Sequence, residues 1–68
     1  MFTYKVSKSH LIEGLKVKVK GEKDNMSHEF ITRIEYRELE KRNYEDIVDS
    51  LVEALEKKID LLIMNNIY

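Results

Sequence analysis

Sixty-eight residues without a cysteine make one small domain, with neither disulfides nor thiolate metal sites to staple a core that is barely sufficient at this length. At 43% hydrophobic and 37% charged residues, the composition is that of a folding sequence and excludes a disordered tail. A formal net charge of -1 supplies no global attraction to DNA, RNA or an anionic membrane.

The opening residues, MFTYKVSKSH, lack the apolar run of a secretory signal, and no later run approaches the ~18 apolar residues of a membrane span. A cytoplasmic protein is expected. The bias toward Lys, Ile, Glu, Asn and Tyr, with no proline, fits an AT-rich coding genome of the kind bacteria and phages carry.

The expected architecture is α+β: a three-stranded antiparallel meander packed against one long C-terminal helix, as a single domain over 1–68. Phe2, Tyr4 and Val6 alternate on one side and predict a first strand at about 2–6. Ser7 to His10 read as a turn. A second strand follows at about 11–20, with Leu15, Val17 and Val19 on one face and Lys16, Lys18 and Lys20 on the other. Gly14 interrupts its alternation, so either a bulge brings Ile12 to the apolar face or Ile12 points outward. The segment GEKDNMS supplies the residues of a hairpin loop. The third strand is expected at about 28–38, with Phe30, Thr32, Ile34 and Tyr36 inward and Ile31 outward.

The helix is predicted at about 44–64. Asn43 is its N-cap, and Glu45 and Asp46 put negative charge in the first turn, where the helix dipole favours it. Asn65 or Asn66 is the expected C-cap, with Ile67 folding back on the last turn. The apolar arc spans roughly 200°, more than the ~100° needed to pack on one surface. One edge of it carries Val52, Ile59 and Ile63, the other Ala54 and Leu61. The excess predicts a homodimer, with Val52, Ile59, Leu62 and Ile63 as its interface because the side chains on that edge are larger. Oligomerisation would also stabilise a chain this short.

Three charged features remain. Lys16, Lys18 and Lys20 form a candidate nucleic-acid-binding strand face, with Tyr4 or Tyr36 available for base stacking. The competing reading is a solvated strand face paired with Glu29 and Glu35, worth ~0.2–1 kcal/mol per pair, and it is preferred because the helix begins with acid. Glu45, Asp49, Glu53, Glu56 and Asp60 follow one helix face and form a candidate acidic surface for a protein partner. Lys58 falls inside the apolar arc, either snorkelling or pairing across a dimer interface.

No catalytic, cofactor or metal site is expected. Ser27, His28 and Glu29 alternate faces on a strand and cannot converge as a relay. His10 with Glu13, or His28 with Glu29, lacks a third defined ligand, and the two glycines form no phosphate loop. The sequence therefore points to a non-enzymatic protein-binding module that binds itself and a larger protein target, of the size of a small inhibitor or adaptor. A small nucleic-acid-binding regulator using the lysine strand is the alternative.

Overall fold

The computed structural model describes residues 1–66, with side chains through residue 65. Three strands, β1 (Thr3–His10), β2 (Gly14–Lys23) and β3 (Met26–Glu35), form an open antiparallel sheet in the order β1-β2-β3. A single helical turn, α1 (Tyr36–Leu39), leads into the long helix α2 (Tyr44–Asn66). The fold is the α+β meander and helix that the periodicities predict.

Strand lengths follow the backbone ladder more than the apolar pattern. Ser7 to His10, expected to turn, pair with Lys18 to Leu15 and lengthen β1. The β2–β3 loop shrinks to Asp24 and Asn25, whose positive φ angles of 50° and 66° give the signature of a two-residue type I′ turn closed by Lys23 and Met26. No bulge forms at Gly14. It pairs with Glu35 in register, and an added Cβ there would collide with the Ile34 carbonyl oxygen. Ile12 instead sits 98% exposed on a tight turn closed by Leu11 N–H donating to Gly14 O at 2.8 Å.

The third strand stops at Glu35, three residues short of the expected 38. Tyr36 N–H makes a last bond to Glu13 O at 3.1 Å, and its hydroxyl donates to Leu11 O at 3.1 Å. These bonds anchor the residue beside the β1–β2 turn, and helical bonding begins from its carbonyl, which accepts from Glu40 N–H. Tyr36 is thus 40% exposed at a strand end and not part of the inward row.

Helix α2 begins as predicted: Asn43 Oδ1 accepts from Glu45 N–H at 2.8 Å. Asn65 and Asn66 are both still helical, so neither is seen as a left-handed cap, and the expected fold-back of Ile67 lies outside the described residues. The helix packs on β2 and β3 and leaves every residue of β1 exposed. Leu15, Val17, Val19 and Ile34 of the sheet are buried against Ile47, Leu55 and Ile59, with Phe30, Leu51, Val52 and Ile63 packed around them. At ~25 cal/mol per Å² of apolar burial, this small cluster is the main stabilising term. Among the described residues, no helix is long and apolar enough to cross a membrane.

Candidate functional site

Every residue of β1 is exposed, an unusual state for a full-length strand. Because α2 covers the other two strands, Tyr4, Val6, Lys8 and His10 face the helix side without being covered by it. Their in-register partners, Gly21, Val19, Val17 and Leu15, are all buried. An open groove results between β1 and the helix flank, lined by Val6 and Lys8 on one wall and Tyr44, Glu45, Val48 and Asp49 on the other. Its strand wall is basic and its helix wall acidic. Lys8 Nζ lies 4.8 Å from the Tyr44 ring centroid, a cation–π contact that bridges the two walls. Further along, Phe2 and Tyr4 stack at 5.8 Å.

The free backbone of β1 can be assigned from the ladder. Tyr36 N–H reaches Glu13, and the two-residue turn closes at Lys23 and Met26, so the even residues of β3 bond toward β2. It follows that the even residues of β2 bond toward β1, as Gly14 O does to Leu11 N–H. By the same alternation, Tyr4, Val6, Lys8 and His10 turn their N–H and C=O groups to the open edge of the sheet. The residues that line the groove also offer the unpaired backbone.

Among the described residues, no helix covers the opposite sheet face. Lys16, Lys18 and Lys20 lie there, exposed as expected, with Lys5 and Arg33 beside them. Lys18 pairs with Glu29 at 3.5 Å, while Lys20 stands directly opposite Glu29 across the ladder. Lys5 opposes Lys20 and Lys16 opposes Arg33, however, so two pairs of like charges confront each other, a mildly destabilising arrangement. Glu35 is across from Gly14 and next to no lysine in register. Neither tyrosine joins this face: Tyr4 lies on the groove side and Tyr36 at the strand end, so among the described residues no aromatic platform accompanies the lysines.

The carboxylate row is divided among different environments. Glu45 and Asp49 line the groove, Glu53 pairs with Lys57 at 3.5 Å, and Asp60 accepts a 2.8 Å hydrogen bond from Lys23. Hydrogen bonding to Asp60 raises the Lys23 pKa above its ordinary value, with the Asp60 and Glu56 charges adding to the rise and desolvation opposing it. Lys58 is exposed on the helix.

The interface expected at Val52, Ile59, Leu62 and Ile63 needs correction at its centre. Ile59 is fully buried in the monomer's own core, and Val52 and Ile63 pack against that core. Leu62 is half-buried. The packed residues Ile47, Leu51, Leu55 and Ile59 advance in steps of four, so the stripe drifts by ~40° per step and ends on the edge that carries Ile59. The opposite edge is the free one, with Ala54 exposed and Leu61 56% exposed.

Ser27 and Glu29 point to the lysine face, whereas His28 lies on the helix side, edge-on to Phe30 at 5.3 Å between ring centroids. Among the described residues, no three of His, Asp or Glu converge as metal ligands. What sequence reasoning missed is the bare strand β1, since the width of an apolar arc does not say which strands the helix will cover. Comparison with family models, curated proteins and solved structures finds no match for this chain.

Proposed function

We propose that the chain is a non-enzymatic protein-binding module that works as a homodimer and receives an extended segment of a larger protein along β1. One observation carries the reading: β1 is exposed at all eight residues, with an edge unpaired among the described residues beside an open groove. Adding a strand to such an edge satisfies the backbone groups of Tyr4, Val6, Lys8 and His10. Alternate side chains of the added segment would then enter the groove over Val6 and Val48. Lys8 on one wall and Glu45 with Asp49 on the other favour a segment of mixed charge. The composition and size suit a compact inhibitor or adaptor in the cytoplasm of a bacterium, encoded by the cell or by a phage. Selection from a random-peptide display library tests this directly. Binders should shift the amide resonances of β1, Tyr44 and Val48; binders that shift only the lysine face, or none at all, would overturn the reading.

A small nucleic-acid-binding regulator is the second reading. Supporting it are the like-charge pairs Lys5–Lys20 and Lys16–Arg33, which a bound phosphate backbone would relieve. The missing aromatic platform and the glutamates at the rim weigh against it. A gel shift with mixed-sequence oligonucleotides at low and moderate salt separates the two readings, because phosphate binding must weaken steeply with salt.

A further inference from the structure

We infer that the homodimer forms by antiparallel pairing of β3 with β3 of a second copy, about a two-fold axis at Ile31. This rests on the homodimer reading above and assigns its seam. The hydrogen-bond alternation that frees the even residues of β1 frees the odd residues of β3. Ser27, Glu29, Ile31, Arg33 and Glu35 therefore turn their N–H and C=O groups to the open edge.

Those residues are self-complementary. A two-fold at Ile31 sets Ile31 against Ile31 of the second copy and Glu29 against its Arg33, with the reciprocal pair on the other side. Moving the axis to Thr32 would oppose Glu29 to Glu35, and moving it to Phe30 would oppose Glu29 to Ile31. Ile31, 55% exposed, is the one large apolar side chain on the otherwise polar outer face, and this pairing gives it a partner. It also brings a glutamate to Arg33, which in the monomer faces Lys16. Strand β1 has no such pattern. Its charged residues, Lys5 and Lys8, are both basic, and lysine on an edge deters self-pairing.

The helices agree with this choice. Because α2 packs on both β2 and β3, an axis midway between them would lie about half a strand spacing, ~2.4 Å, inside β3. Pairing two β3 edges adds one spacing of about 4.8 Å and leaves the helix axes about 10 Å apart, near the distance of packed helices. Pairing through β1 would leave them about 19 Å apart, with nothing between. Tyr44, Val48 and Asp49 face β1, so the flank turned toward the β3 edge is the opposite one, which carries Ser50, Ala54, Lys58 and Leu61. Small side chains at Ser50 and Ala54 permit the close approach, and the exposed Leu61 gains cover.

Amide hydrogen exchange, with molecular mass measured on the same sample, tests the seam. A dimeric mass with the Glu29, Ile31 and Arg33 amides slowed at least about a hundredfold relative to those of Val6 and Lys8 is the expected result. A dimeric mass with these β3 amides as fast as the β1 edge overturns the seam and leaves the homodimer standing. A monomeric mass at millimolar concentration overturns both. Charge reversal supplies a second arm: Glu29→Arg and Arg33→Glu should each weaken the dimer at least about tenfold, and their combination should restore it to within about threefold. Single variants that dimerise like the parent would also overturn the seam. Both positions are exposed on the outer face, and their edge-directed amides take no part in the monomer's own ladder.

Discussion

Gly21 lies directly beneath Leu55: a Cβ on the glycine would fall 2.9 Å from Leu55 Cδ2 and 2.7 Å from Phe2 Cε1. The helix approaches the sheet closely here because β2 offers no side chain. Gly21→Ala should therefore cost about 1–3 kcal/mol through overpacking, read from urea denaturation. In a Leu55→Ala background the same substitution should lose the part of that cost due to Leu55 and keep the part due to the Phe2 ring. An equal loss in both backgrounds would show that Leu55 is not the obstacle.

Ile59 provides a second check on the same packing. Fully buried under the sheet, it cannot accept a charge without an unpaired carboxylate in the core. Ile59→Glu should abolish cooperative unfolding at any protein concentration. A folded monomer in its place would return Ile59 to an intermolecular surface. Leu55→Ala, by contrast, should remain folded but lose about 2–5 kcal/mol.

Much of this core was legible in the sequence, because alternation fixes which face a strand residue takes. Leu15, Val17, Val19 and Ile34 are buried as their spacing predicts, and Asn43 caps the helix that its position announces. Strand ends were not legible. Gly21 reads as the beginning of a loop yet lies buried inside β2, because Asp24 and Asn25 complete the turn by themselves. Ser7 to His10 read as a turn and are strand, since polar residues join a ladder readily when its partner strand is long enough. The groove was beyond reach for a different reason. A helical wheel reports how wide the apolar arc is, whereas the bare strand depends on where a helix settles across three strands.

The Lys23–Asp60 bond ties the β2–β3 hairpin end to the helix at 2.8 Å. A lysine whose pKa is raised on folding contributes stability that is fully present below its unfolded value and is lost as pH rises through the folded one. The stability difference between the parent and Asp60→Asn should thus hold steady across neutral pH and shrink above about pH 10. Lys23 is only partly buried, so the difference will be small and reduced by salt. A difference that grows with alkaline pH would contradict the assignment.

Replacing Lys16, Lys18 and Lys20 together by glutamate should leave peptide binding along β1 intact, because those side chains project from the opposite face. Titration of the triple variant with a selected peptide checks this. Loss of oligonucleotide binding in that variant, with folding preserved by circular dichroism, would instead advance the nucleic-acid reading.

Self-association underlies both the homodimer and its β3 seam. The radius of gyration is 13.6 Å, against about 11 Å for a compact chain of this length, so an unusually large share of the surface is open to water. A second copy would cover part of it. Sedimentation equilibrium from micromolar to millimolar concentration measures this most directly. A mass about twice the 8.1 kDa of the chain at micromolar concentration is the predicted result, and a mass of 8.1 kDa maintained to millimolar concentration would contradict it.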